Sequence, residues 1–338
     1  MNKNDKIDIV YLWVDSTDKS WRAEKDKWFE KINKQKPLHS DAVGEEKYRD
    51  NGELLHSFRS VAECVPWINH IYLITGFNQA PKWLNTKHPK ITIVPHEQIL
   101  PKSALPTFNA VAIEMGIPNI PNLSDHFLLM NDDMFFNHKL SPSFFYDSRG
   151  RAKFRYSKNA YDPTIPFDNW REKLDVYTQQ LALSAKYIDE MFGLKMYNMR
   201  PSHGIDPYIK SSWIECKNRP ELKKQINEQI KNKFRTNNET QRWLMNMYDF
   251  ATGRAVFQHA RAAKYGRHKI LNTIYNLVHM KTIRQSNVVC TNVAVAKPAL
   301  KHAPMFCIND APENDEKILR GNREFLEQRF PNKCEFEK

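Results

Sequence analysis

Paired cysteines are missing from this sequence. Cys64, Cys216, Cys290, Cys307 and Cys334 are scattered, with no pair two residues apart. That excludes a zinc knuckle or dithiol redox motif, and an odd number makes no disulfide framework. Glycine is scarce, ten in 338 residues, which removes collagen-like and glycine-linker architectures. Long apolar runs are also absent. The best, Ile9–Val14 and Phe127–Met130, have the length of strands and fall short of the ~18 residues of a spanning helix. Met1–Asp8 is polar and charged and offers no apolar signal-peptide region. The expected compartment is a reducing cytoplasm, with association at the inner face of the cytoplasmic membrane as an extension.

What is present is a chain with enough apolar content to fold, 41% hydrophobic and 12% aromatic, and a length that predicts a large core. Lys and Arg number 51 against 39 Asp and Glu, a net charge of +12. Such an excess suits nucleic acid, an anionic membrane or a phosphorylated substrate. In Arg219–Lys233 the cations alternate with acids, the pattern of a solvated helix face, so a nucleic-acid partner is not expected. Trp21 and Trp28 are candidates for loose membrane contact, though ordinary helix packing accounts for them as well.

Strand-like and helical segments alternate through the first third, the signature of a parallel α/β layer. Strands are predicted at Ile7–Val14, His70–Thr75, Ile91–Val94 and Phe127–Met130. Helices are predicted at Trp21–Gln35, Gly52–Cys64 and Pro106–Met115, the last with its proline in the first turn. Beyond Tyr156 long helical patterns dominate: Trp170–Met191, Glu221–Phe234 and Thr240–Ala263. A β-branched run at Val288–Val295, a strand at Met305–Asp310 and a helix at Asp315–Arg329 return the chain to the core. The expected organisation is an α/β core over 1–155, a mainly helical insertion over 156–285 and a returning segment over 286–338.

Chemistry concentrates at the predicted strand ends. Asn131-Asp132-Asp133 follows an apolar strand directly, at the edge where open α/β sheets bind ligands. Adjacent carboxylates repel, so they suit either solvent or a bridging hard cation. Asp15 follows the first strand, and Asn309-Asp310 follows Phe306-Cys307-Ile308. Arg49-Asp50-Asn51-Gly52-Glu53 precedes an amphipathic helix whose N-terminus attracts phosphate or is simply capped by Asp50 or Asn51. Arg171, Arg235 and His203, the last in the loop Pro201–Pro207, supply cations and a titratable ring from the helical part.

Together these segments resemble the Stealth family of sugar-1-phosphate transferases, which includes bacterial capsular-polysaccharide phosphotransferases and the animal N-acetylglucosamine-1-phosphotransferase catalytic subunit. The resemblance is carried by Asp8–Asp18, by Arg49–Ser60 continuing through Ile71–Thr75, by Leu105–Phe108 with Asn131–Phe135, by His203, Pro207, Ser211, Phe234-Arg235 and Gln241, and by Cys307–Asp310. It departs at Ile205, where the family usually has proline, and at Asn238-Glu239 in place of an acidic pair. The resemblance implies a Rossmann-like, glycosyltransferase-A-like core. It implies transfer of a sugar-1-phosphate, expected to be an N-acetylhexosamine-1-phosphate, from a UDP-sugar or similar donor. The acceptor is a sugar hydroxyl of a capsular or other surface polysaccharide, and a nucleoside monophosphate is released.

On that basis His203, Arg235, Arg171 and Asp133 are the expected catalytic residues, His203 as the base and the arginines gripping phosphate. Asp132, Asp133, Asn309 and Asp310 are expected to hold Mg²⁺ or Mn²⁺. Trp13, Asp15, Arg49, Asp50, Asn51, Glu53 and Arg59 are expected to bind the donor. Two other readings fit the same charges: a metal-dependent glycosyltransferase that releases a nucleoside diphosphate, and a non-catalytic module for a polyanion.

Overall fold

A computed structural model describes residues 5–35, 38, 43–158, 167–261, 269–312 and 314–338. Its centre is a five-stranded sheet built from β1 (Ile7–Leu12), β2 (Ile71–Thr75), β3 (Ile91–Pro95), β4 (His126–Asn131) and, from far along the chain, β8 (Asp206–Ile209), in the order β3-β2-β1-β4-β8. The first four strands are parallel; β8 alone runs antiparallel, on β4. The buried parallel strands read as continuous apolar runs because both faces are covered, as in β1, where Ile7 through Tyr11 are all buried. Asp8 lies in that run at no cost in unmet hydrogen bonds: its carboxylate accepts from Asn69 Nδ2 and Ser124 N, both at 2.7 Å.

Strand order reverses at β1, with β2 to one side and β4 to the other. In open α/β sheets that point opens a crevice beyond the strands' C-terminal ends. The helix Glu53–Cys64 covers the sheet with Leu54, Phe58, Val61 and Cys64 buried, and Tyr11 Oη and Ser57 Oγ pair at 2.8 Å across the junction. Gly52, which precedes it, has φ +89°, a left-handed geometry that favours glycine.

A second sheet, β10 (Val288–Cys290), β11 (Met305–Ile308) and β5 (Met134–Phe136), is joined to the first by the two-residue turn Asp132-Asp133. Stacked Phe135, Phe306 and Phe330 fill its core. A third sheet consists of β7 (Met199–Pro201), β6 (Ala152–Lys158) and β9 (Ala255–His259). The 156–285 segment therefore gives a strand to the main sheet and two to the third, besides its helices.

Several expected boundaries move for local reasons. Pro106 opens no helix; the turn begins at Ala110, with Asn109 Oδ1 accepting from Val111 N at 3.1 Å. The pattern at Trp170–Met191 divides into Phe167–Arg171 and Val176–Phe192, because Asp175 caps the second piece through Thr178 N. Thr240–Ala263 stops as a helix at Ala251, and Gly253 at φ +75° turns the chain into β9. Residues 262 and 263 lie outside the described set. The run Val288–Val295 is a strand only to Cys290; Asn292 then caps a helix, Val293–Leu300.

The last residues close over the sheet. Phe336 is buried, and Arg59 Nε and Nη2 donate to Glu337 at 2.8 and 2.9 Å while Nη1 donates to Phe330 O at 2.9 Å. Arg59→Ala is expected to lower unfolding stability by about 1–3 kcal/mol by stranding the buried Glu337 carboxylate. A urea titration reads the loss, and kcat should not move. Among the described residues no helix is long and apolar enough to cross a membrane.

Candidate active site

A cavity of about 590 Å³ opens at the switch point. Each strand end contributes to it: Trp13 just beyond β1, Asn131, Asp132 and Asp133 at the end of β4, and Asn309 and Asp310 just beyond β11. Arg49 and Glu53 line it beside the N-terminus of the Glu53–Cys64 helix. From the opposite side come His203, Arg235 and Arg242. The antiparallel register Leu129↔Asp206 explains the approach of His203, since it carries the loop before β8 to the C-terminal end of β4. Acids and cations thus meet in one cavity, partly paired with each other: Arg49 with Asp310 and Arg242 with Glu114.

The acids at the strand ends are not relaxed. Burial, with the neighbouring Asp133 carboxylate next in weight, pushes Asp132 well above the usual range for an aspartate. Asp133 moves the same way, chiefly through burial, although the Cys307 thiol donates to its Oδ2 at 3.1 Å. Asp133 Oδ1 is buried and has no partner. Glu53 is raised to about 7 by burial, against the hydrogen bonds from Asn51. Asp310 is already engaged: its Oδ2 accepts from Arg49 Nε at 2.5 Å and its Oδ1 from Ala311 N at 2.8 Å.

A cation is the direct remedy for two adjacent half-buried carboxylates with one orphaned, buried oxygen. Asp132, Asp133 and the Asn309 carbonyl fit that purpose; Asp310 is held by Arg49. Among the described residues no three His, Cys, Asp or Glu side chains already stand in a ligand cluster.

His203 is half-buried, and its pKa falls to about 4, mainly through burial and then through Arg242, Arg200 and Arg235. At neutral pH the ring is uncharged and able to take a proton. Arg235 follows the buried Phe234, which stacks on Phe108 at 5.4 Å, and Phe108 N donates to Lys233 O at 2.9 Å. Its guanidinium has no ion-pair partner among the described residues.

Arg171, Asp50, Asn51, Asp15, Arg59 and Trp28 fall outside the cavity lining, whereas Trp21 borders it. Arg171 acts from behind: it donates to Gln179 O at 3.2 Å and to Asn237 O, bracing the loop that carries Arg235. Glu239 ties down the same loop as an acceptor for Asn109 Nδ2 at 2.9 Å and Asn232 Nδ2 at 2.7 Å. Asp50 accepts from Trp13 Nε1 at 2.9 Å and from Gly52 N at 2.7 Å, fixing the indole and the helix start together. Asn51 donates to Glu53 Oε1 at 3.0 Å. The Asp15 carboxylate accepts from Thr17 N and Oγ1, a local turn. Arg59 is spent on Glu337. Trp21 is buried against Tyr48 and Phe108, and Lys31 and Lys233 lie over the Trp28 ring at 4.7 and 5.0 Å. Both tryptophans serve packing.

Sequence reasoning missed Arg242, Glu114, Tyr177 and Gln180, all in the cavity wall. Arg242 Nη1 donates to Glu114 Oε1 and to Asn131 Oδ1, each at 3.1 Å. Burial works against its charge, yet Glu114, Tyr208 and Asp206 outweigh that and raise it above an ordinary arginine. Glu114, also buried, is moved upward by burial despite the same attraction. A signal existed, for each is a lone charge in an apolar run, Ala110–Met115 and Arg242–Met247.

The fold is that of an α/β protein with its crevice at the reversal of strand order, lined by both acids and arginines. Residues 47–154 match the family described as Stealth protein CR2, conserved region 2. The chain is 30% identical to an exopolysaccharide phosphotransferase of Lactiplantibacillus plantarum, over 98% of this chain and 96% of that protein. It is 30% identical to a capsular polysaccharide phosphotransferase of Streptococcus pneumoniae, over 98% and 99% respectively. A solved galactosyltransferase in complex with donor and acceptor sugar analogs is 11% identical with a TM-score of 0.45, covering 96% of this chain and 95% of its own. The chain belongs to the Stealth family and is a transferase.

Proposed function

We propose that this transferase moves a sugar-1-phosphate from a nucleotide-sugar to a hydroxyl of a growing surface polysaccharide, leaving a phosphodiester and a nucleoside monophosphate. The observation that carries the reading is the meeting of Asp132 and Asp133 with His203 and Arg235 across one cavity. A diphosphate suits that company, with arginine forks matching its oxygens. The names of the relatives support phosphorus transfer over glycosyl transfer.

In this reading His203, neutral and half-buried, takes the acceptor hydroxyl's proton. The acceptor oxygen forms a bond to the phosphorus attached to the sugar, and the bond from that phosphorus to the bridging oxygen of the diphosphate breaks. The electron pair leaves with the nucleoside monophosphate. Arg235 grips the oxygens that gain charge, and Arg242 fixes Asn131 and Glu114. Asp132, Asp133 and Asn309 would hold Mg²⁺ or Mn²⁺, which supplies countercharge to the diphosphate.

Arg235→Lys should cut kcat/KM by roughly 10²-fold or more, since a point charge cannot reproduce the planar fork; steady-state kinetics read it. Asp133→Asn should raise the divalent cation concentration needed for half-maximal activity by roughly tenfold or more, seen in a metal titration of rate.

The function itself is tested by incubating the protein and divalent metal with nucleotide-sugars, starting with UDP-N-acetylhexosamines, and an oligosaccharide acceptor. Nucleoside monophosphate and a new phosphodiester in the phosphorus NMR spectrum support the proposal. Nucleoside diphosphate with a plain glycosidic bond replaces it with the glycosyltransferase reading.

A further inference from the structure

Large apolar side chains left exposed among the described residues are concentrated on one helix. Lys269–Val278 carries Ile270 at 78% exposure, Leu271 at 67%, Ile274 at 53%, Leu277 at 66% and Val278 at 72%. The spacing i, i+4, i+7 through Ile270, Ile274 and Leu277 makes a single stripe, continued at its edge by Leu271 and Val278. Such a stripe ordinarily faces a core; here it faces out.

Charge around it is one-sided. From Ala251 through Asn309 the sequence holds nine Lys and Arg and not one Asp or Glu, so this stretch supplies most of the protein's net charge of +12. Exposed Lys281 and Arg284 follow the stripe directly. An apolar stripe bordered by cations is the design of a helix that lies in a lipid–water interface, where each cation near an anionic surface adds to binding. A second copy is the poorer occupant, because a twofold interface on this stripe would bring the exposed Lys281 and Arg284 of each copy together. Nucleic acid would leave the aliphatic stripe unused.

We propose that the helix Lys269–Val278 with its flanking cations docks the enzyme on an anionic phospholipid bilayer. The chain running on from this helix reaches the back of the active site. Asn287 Nδ2 donates to His203 O at 3.4 Å, and β10, which starts at Val288, pairs with β11, the strand that ends beside Asn309 and Asp310. Docking would hold the cavity close to polymer growing at the membrane. This surface is distinct from Trp21 and Trp28, which packing consumes.

The test is co-sedimentation of the full chain with vesicles of phosphatidylcholine containing about 30% phosphatidylglycerol, compared with phosphatidylcholine alone. The expected result is binding to the anionic vesicles only, weakened on going from about 0.1 to about 0.5 M salt. Two variants separate the components: Ile270→Ser with Ile274→Ser and Leu277→Ser, and Lys281→Glu with Arg284→Glu. Each is expected to weaken binding by roughly tenfold or more, with unchanged circular dichroism because the side chains are exposed. The proposal is overturned if the wild type stays in the supernatant at low salt, or if both variants sediment like it. It is overturned equally if light scattering shows a dimer that the serine variant splits, which would assign the stripe to a second copy. Vesicle binding is read without turnover, so it succeeds or fails apart from the reaction assigned above.

Discussion

His203→Asn is expected to lower kcat by about 10²–10⁴-fold, the range for removal of a positioned general base, while the donor's Kd changes by no more than roughly threefold. The two readouts separate the roles available to this ring. A base acts on the acceptor proton and contributes little to holding the diphosphate; a binding residue would take the affinity down with the rate. Donor binding is measured by calorimetry in the presence of metal, and turnover by release of nucleotide. A wild-type rate in this variant removes His203 from the chemistry.

The pH profile carries the same assignment. As a base the ring would act only when neutral, and burial together with Arg242, Arg200 and Arg235 lowers its pKa to about 4. Protonation therefore switches the base off as pH falls through about 4, and this group causes no loss of kcat/KM between pH 8 and 6. An unshifted histidine would instead show its limb near 6.5, as in a free side chain (about 6.5). Bound diphosphate offsets Arg235 and Arg242, so the limb in kcat, which reports the complex, should lie above that in kcat/KM.

Arg242→Met is expected to be the most destabilising single change in the site, about 3–5 kcal/mol, because it leaves Glu114 buried without its cation. The two side chains are only 11% and 9% exposed. Urea unfolding at constant m-value measures the loss. Its pH dependence follows from the stranded carboxyl: burial raises its folded pKa above the unfolded one, so folded Glu114 keeps its proton at pH values where the unfolded chain releases it. Stability then falls as pH rises above the unfolded value, so the deficit is larger at pH 8 than at pH 5. Combining Arg242→Met with Glu114→Leu should recover most of the loss, since a buried pair replaced by apolar groups is often neutral. A double variant as unstable as the single one would show that Arg242 stabilises through other contacts.

The parallel core was legible because its strands are buried on both faces and read as unbroken apolar runs; β1, β2 and β4 fall within a residue or two of their expected ends. The acids at the strand ends were legible for a related reason, as polar residues follow directly on apolar strands. Short strands were not. β8, Asp206–Ile209, begins with an acid and a proline and has the look of a loop, yet it completes the main sheet and delivers His203. β9 was hidden inside a helical pattern that continues until Gly253 breaks it. The pairing of Glu114 with Arg242 spans 128 positions and has no local signature beyond a charge where none is expected. Arg59 shows the opposite case: it lies in a motif-like stretch, but its fork is turned to Glu337.

The bond that is cut defines the reaction. A donor labelled with heavy oxygen at the atom joining the sugar's anomeric carbon to phosphorus distinguishes the two possibilities without reference to any variant. Mass spectrometry of the products should find the label retained between sugar and phosphorus in the polymer's new diester, with unlabelled nucleoside monophosphate released. Label recovered in a nucleoside diphosphate, with none in the polymer, would contradict phosphoryl transfer and make this cavity the site of a glycosyltransferase.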